Sequence, residues 1–169
     1  MEKMRYISML VCNTSGVLTR ISGLFARRGY NIESLSVCAT EEDDVSRMTI
    51  AVRADEKQII QMQSQLRKQV DVICITEILI DEAVVRELLM VKLEVPPIKR
   101  SEVLEICTIF KEKTIDLAQE TMIVELTGVP TKIDAFIEVI RPYEIVELAR
   151  SGASALHRGT AQLKNICNC

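Results

Sequence analysis

Tryptophan is absent, and three Tyr and three Phe bring aromatic residues to only 4% of the 169-residue chain. Any core must therefore be built from Ile, Val, Leu and Met, and that weight of β-branched side chains favours sheet. There is a single histidine, so the paired His and Asp groups, nucleophile motifs and metal triads of common active sites are missing. No apolar stretch approaches the ~18 residues needed to cross a bilayer. The opening Met1-Glu2-Lys3-Met4-Arg5 lacks the apolar core of a secretory signal. No basic face or tail stands out against a net charge of −3, which argues against nucleic-acid binding. No G-x-x-x-x-G-K-[ST] loop occurs. The expectation is a cytoplasmic protein that binds neither membrane nor nucleic acid.

What is present is thiol and aliphatic side chain. Six cysteines in a chain read as cytosolic point to free thiols rather than a disulfide framework. Cys12, Cys38, Cys74 and Cys107 lie in or beside apolar runs, where Cys acts as a small hydrophobe. Cys167 and Cys169 form a C-x-C on a terminal stretch that reads as a disordered tail, a poor metal site.

Hydrophobic periodicity gives the organisation. Met4–Val11 is a strand, and the polar turn Cys12-Asn13-Thr14-Ser15-Gly16 starts a helix whose stripe is Val17, Leu18, Ile21, Leu24 and Phe25. Arg27-Arg28-Gly29 ends that helix, cations in its last turn and Gly as the left-handed cap. Asn31–Thr40 and Ser46–Val52 read as strands joined by the solvated charge run Glu41-Glu42-Asp43-Asp44. Asp55 caps a helix carrying Ile59, Met62 and Leu66, and Val70–Ile80 is a fourth strand. The order is βαββαβ.

The pattern then recurs. Glu87–Val95 is a strand stopped by Pro96-Pro97, and Ser101 opens a helix with Val103, Ile106, Cys107 and Phe110. Ile115–Ala118 and Thr121–Leu126 form a hairpin, a helix with Ile133, Phe136, Ile137 and Ile140 follows, and Ile145–Ala149 closes the unit. The fold class is α+β: two ferredoxin-like domains, residues 1–80 and 81–160, then a tail at 161–169. Each sheet should leave an uncovered face and open edges, so pairing into a dimer is expected.

The turn between the first strand and helix is the most informative segment. Asn13 to Gly16 sets backbone N–H groups at the positive end of a helix, a place suited to a carboxylate. The Asn13 side chain adds an acceptor and donors, so the turn can serve both ends of a free amino acid. A plainer reading makes Ser15 an N-cap and Asn13 a turn former. Asn31-Ile32 begins the second strand at an edge, from which a partner copy could approach the Asn13 turn.

These residues carry a resemblance. Asn13-Thr14-Ser15-Gly16-Val17-Leu18, with Gly23-Leu24-Phe25-Ala26-Arg27-Arg28-Gly29-Tyr30-Asn31-Ile32-Glu33-Ser34-Leu35, resembles the N-terminal ACT domain of acetohydroxyacid synthase small subunits. Ser46–Ile50 and Gln69–Val72 match the same domain. Arg86-Glu87-Leu88 to Lys92 and Ala149-Arg150-Ser151-Gly152 match the family's C-terminal domain. The resemblance covers residues from about 4 to 159.

It implies a non-catalytic regulatory subunit that activates a separate catalytic large subunit and confers feedback inhibition by valine. Thiamine diphosphate, Mg and FAD would belong to that large subunit, and this chain would hold no cofactor or metal of its own. In the family, valine lies between two ACT domains of a homodimer. Carried over, its site is Asn13, Gly16, Val17 and Leu18 of one copy with Asn31 and Ile32 of the other. Cys12 and Thr14 depart from the family pattern, which often has acidic residues there, and Ala155–Gly159 matches only loosely. His157 is expected on a surface or at a helix end. Two other classes compete. An acylphosphatase-like enzyme needs an arginine in the first loop, and Cys12–Gly16 has none. A stand-alone ACT-type amino-acid sensor would lack the second domain.

Overall fold

The structure, a computed structural model, describes residues 2–166. It divides into two compact units: the chain up to Val84 together with the segment from Gly152 onward, and Val85–Ser151.

In the first unit, β1 (Lys3–Cys12), α1 (Val17–Arg27), β2 (Ser34–Ala39), β3 (Val45–Ala54), α2 (Glu56–Leu66) and β4 (Val72–Ile78) follow in order. The antiparallel sheet runs β2-β3-β1-β4. Ile7, Met9 and Val11 from β1 and Met48, Ile50 and Val52 from β3 meet the apolar stripes of both helices, Phe25 and Leu66 among them, in one core. Alternation along the strands and 3.6-residue spacing along the helices converge on that layer.

Two of the sequence-derived helix signals hold in full. Asp55 caps α2 in a capping box, its carboxylate accepting from the Gln58 N–H while the Gln58 side chain accepts from the Asp55 N–H. At the end of α1, Gly29 has φ 71°. The Tyr30 N–H reaches back to Phe25 O and the Gly29 N–H to Ala26 O, a Schellman motif. Its apolar contact is Tyr30 edge-on to Phe25, with ring centroids 6.4 Å apart. The chain leaving this cap joins the sheet only at Ser34, so Asn31 and Ile32 precede β2 instead of opening it.

One expectation fails instructively. The sheet face away from the helices is not bare: Tyr6, Ser8, Leu10, Thr49, Ala51, Cys74 and Ile78 are all buried there. Part of the cover is the returning segment, which includes β9 (Ser154–His157) and the short α5 (Leu163–Ile166). Gly152 lies against Ser34 and Leu35, the Ser154 and Ser36 hydroxyls are 3.3 Å apart, and Leu163 packs with Leu10, Val45 and Cys74. Residues 152–160, expected in a second domain, therefore group by contacts with the first unit. Within the expected tail, Gln162–Ile166 is described and partly helical, and Lys164 forms an ion pair with Glu42. Leu163 is tucked into an apolar niche, which is what orders the segment. Cys12, Cys38 and Cys107 are free thiols as expected, whereas Cys74 is disulfide-bonded. Cys167 and Cys169 lie outside the described residues.

In the second unit, β5 (Ala83–Glu94), α3 (Arg100–Phe110), β6 (Lys113–Leu117), β7 (Thr121–Gly128), α4 (Pro130–Ile140) and β8 (Glu144–Arg150) repeat the plan, with β5 beginning two residues before the unit does. The order is β6-β7-β5-β8. Leu89, Val91 and Leu93 pack against Phe136, Ile133 and Val103 beneath the two helices. A single 3₁₀ turn after Pro96 feeds α3, so the helix starts at Arg100, one residue before Ser101.

This unit is fastened by charge. Glu87 is 5% exposed, and Arg150 grips it with two bonds of 2.7 and 2.8 Å while a third reaches Asp134 at 2.9 Å. Arg150→Met leaves a buried carboxylate without its partner and should cost about 3 kcal/mol in urea unfolding. The double change Glu87→Met/Arg150→Met should restore much of that. Leu163→Ala opens a hole beside Leu10 and Val45 and should cost about 2 kcal/mol by the same measurement.

Candidate functional site

The turn after β1 is built by three constraints. The Asn13 N–H donates to Asp44 O at 2.7 Å, and its side-chain Nδ2 donates to Asp43 O at 2.9 Å. The acidic run at 41–44, exposed as expected, thus also clamps Asn13 from the neighbouring hairpin. Gly16 is the N-cap of α1 at φ 86°, ψ −10°, a left-handed conformation that L side chains resist, and no side chain caps the helix. The Ser15 cap of the plainer reading is therefore not formed. The reason is local: the chain enters α1 through a left-handed Gly, and not through an extended residue whose hydroxyl could turn inward.

On the far side, Arg20 of α1 donates through Nε to Asp71 Oδ2 at 2.6 Å, and Asp71 O accepts from the Cys12 N–H at 2.9 Å. Neither residue is among the site residues that the sequence predicts. The signal was there in Gln69–Val72, but only tertiary register brings Asp71 beside Cys12. A Cβ at Gly16 would come within 2.9 Å of Arg20 Nη1, so glycine is needed for space as well as backbone freedom.

Asn13, Thr14, Ser15 and Gly16 are exposed. First-turn amides of a helix have no intrahelical acceptors and sit at the positive end of its dipole. With Nδ2 engaged, Asn13 keeps Oδ1 as an acceptor. The turn therefore offers amide donors and a carbonyl acceptor within one step of the chain, the complement of a zwitterion.

The apolar candidates divide. Val17 is buried in the core, Leu18 is 46% exposed on the outer face of α1, and Ile32 is half-buried against the core. Asn31 is exposed and donates to Glu33 at 3.3 Å. The structure does not bring Asn31 to Asn13 within one chain. Ser34 pairs with Ala51 and Ala51 with Tyr6, seven residues up β1 from Asn13. At ~3.3 Å per residue that is roughly 23 Å along the sheet.

In the second unit the two segments that resemble the family are bound to each other. Besides the Arg150–Glu87 fork, the Leu88 N–H donates to Ser151 Oγ at 3.0 Å and the Ser151 N–H to Leu88 O at 3.0 Å. Among the described residues, no group of three His, Cys, Asp or Glu side chains is gathered for a metal, and no helix is long and apolar enough to cross a membrane.

A four-stranded sheet of this order with two helices on one face is the ferredoxin-like plan, the plan on which ACT domains are built. Here it is joined to a second ferredoxin-like unit. Residues 7–74 match the family model described as an AHAS small subunit-like ACT domain, and residues 86–159 match that of the small subunit of acetolactate synthase. The chain is 43% identical over 159 residues to the acetolactate synthase small subunit of Bacillus subtilis, covering 94% of this chain and 92% of that one. It is 42% identical over 153 residues to that of Mycolicibacterium smegmatis, covering 90% of each. A crystal structure of the small subunit from Thermotoga maritima superposes with a TM-score of 0.85 at 36% identity, covering 94% of this chain and 99% of that one. The chain belongs to the acetolactate synthase small-subunit family.

Burial pushes the Cys107 thiol up from its ordinary range, with a hydrogen bond to Thr114 working the other way. Less of it is thiolate at a given pH, so iodoacetamide at mildly alkaline pH should label exposed Cys38 well before Cys107. Equal native-state labelling rates, read by peptide mass spectrometry, would contradict that burial.

Proposed function

We propose that this chain activates the catalytic subunit of acetolactate synthase and makes it sensitive to valine. In this reading valine lies between two copies, held by Asn13, Gly16, Val17 and Leu18 of one and by Asn31 and Ile32 of the other. The observation that supports it most is the separation of Asn13 from Asn31 within one chain. β2 is an edge strand of its sheet. Two β2 edges paired antiparallel about a two-fold axis bring the start of one strand to the end of the other. That carries the second copy's Asn31 and Ile32 toward the first copy's Asn13 turn.

The half-site in a single chain is open and lacks a wall, as a site completed by a partner would. The ligand's carboxylate would take the turn's amides, its ammonium would take Asn13 Oδ1, and exposed Leu18 would meet the branched side chain. The homodimer is then the binding unit. Thiamine diphosphate, Mg and FAD are assigned to the catalytic subunit, whose reaction this chain modulates without adding a catalytic group. Binding here shifts the dimer's presentation to its partner by a coupling of ~1–3 kcal/mol, roughly 5- to 150-fold in affinity.

Gly16→Asp places a carboxylate where the ligand's own should sit, and Asn13→Ala removes the ammonium acceptor. Both should abolish valine inhibition of the reconstituted enzyme while leaving activation within about twofold, given that surface changes rarely propagate. Valine inhibition surviving in a folded Gly16→Asp complex would remove the site. A chain that binds valine by calorimetry but fails to activate the catalytic subunit would instead be a stand-alone amino-acid sensor.

A further inference from the structure

The Arg20 guanidinium presents an unused edge to the Asn13 turn. The Arg20 N–H donates to Gly16 O at 3.0 Å, which places Arg20 one helical turn beyond the N-cap. Long side chains on a helix lean toward its N-terminus, so the guanidinium comes back over the turn. Asp71 Oδ2 takes its Nε at 2.6 Å. A guanidinium donates along more than one edge. With Asp71 on Nε, the Nη1 and Nη2 groups have no hydrogen-bond partner among the described residues. Nη1 stands over Gly16, so close that a Cβ there would come within 2.9 Å of it. The side chain that Gly16 lacks is what keeps this edge open.

The charge around the turn gives that edge its importance. Asp71 holds Cys12 through its carbonyl, and Asp43 and Asp44 hold Asn13 through theirs. All of these residues carry carboxylates, which oppose an anionic ligand. Helix amides carry partial charges alone. Arg20 brings a full cation to the same spot and neutralises Asp71 by pairing with it, while Asp43 and Asp44 are exposed and screened.

We propose that the Nη1 and Nη2 groups of Arg20 grip the carboxylate of the amino-acid effector beside the first-turn amides of α1, with Asp71 holding the guanidinium in place. This rests on the amino-acid site proposed above and adds to it the residue that selects for a free carboxylate. A planar fork meets a carboxylate in two parallel bonds, a match that an ammonium group does not offer. Gly16 then has a second role: it leaves room for the fork as well as for the ligand.

Calorimetric titration of the full chain with valine tests this. Arg20→Gln should raise the Kd roughly tenfold or more, as loss of a charge-assisted bond implies. Arg20→Lys keeps the charge and loses the fork, so it should raise the Kd severalfold, and it keeps the test decisive if Arg20→Gln misfolds. Asp71→Asn separates gripping from positioning. It removes an opposing carboxylate and leaves an amide oxygen for Nε, so valine should bind within about twofold of the unaltered chain, or more tightly. A Kd unmoved in both Arg20 variants, with Asn13→Ala still abolishing binding, overturns the proposal and leaves the amino-acid site standing. Weakening in Asp71→Asn as large as in Arg20→Gln overturns it too, because Arg20 would then act through the shape of the turn. No valine binding by the unaltered chain removes the site and this proposal together.

Discussion

Strand β1 is buried on both of its faces, and most of the first unit is arranged to satisfy it. Ile7, Met9 and Val11 point into the layer under α1 and α2, while Tyr6, Ser8 and Leu10 point the other way and are equally hidden. A four-stranded sheet with two helices can cover only one face. The second requires more chain, and the segment from Gly152 onward supplies part of it. Ser8 would be costly there without partners; it pairs through the ladder with Thr49 and Thr76 and accepts a long contact from Arg47. Burial of β1 also fixes where its end emerges, and with it the position of the Asn13 turn.

The elements that could be read in advance were those whose signal is local. The capping box at Asp55 and the Gly29 cap involve residues within a few positions of each other, and the helix stripes repeat over three turns. The run Met4–Val11 lacks the alternation of a half-exposed strand, a signal at odds with the expectation of an uncovered sheet face. The returning segment was not legible, because Ala153, Ala155 and Leu163 are buried at no regular period, and Leu163 acquires meaning only against Leu10, Val45 and Cys74. His157 is half-buried at the end of β9 and not at a helix end, for the same reason. At the turn, Asn13 and Gly16 stood out by chemistry alone. Ser15 misled, because a hydroxyl before a helix is a frequent cap and nothing local says that Gly16 will turn left-handed. Arg20 and Asp71 were hidden by a separation of 51 residues.

The two units use charge differently. In the second, the Arg150 fork on Glu87 is mostly withdrawn from water, so each partner depends on the other and the pairing joins two segments far apart in sequence. In the first, the Arg20–Asp71 bond lies at the rim, with Arg20's side chain 49% exposed. A pair so exposed adds little to stability. What it does is geometric: it draws Asp71, whose carbonyl holds the Cys12 N–H, against α1, and so sets the angle at which the turn leaves β1.

The four acidic residues between β2 and β3 show how one loop can serve two places. Asp43 and Asp44 hold Asn13 through their backbone carbonyls, while Glu42 holds Lys164 of the returning segment through its side chain. The Asn13 bonds are short and largely independent of salt, whereas the Glu42–Lys164 pair is exposed and screened. Tension between the two is therefore resolved at the weaker end. A shift of the loop that preserves Asn13's bonds is absorbed first at Glu42–Lys164, where the hairpin meets the cover of the sheet. A shift that breaks Asn13's bonds must leave a backbone N–H to find another acceptor, and in an exposed turn that acceptor is water or a ligand. The loop is thus softest on the side of the cover and most exacting on the side of the turn, so the geometry at Asn13 outlasts small movements of the segment that packs behind it.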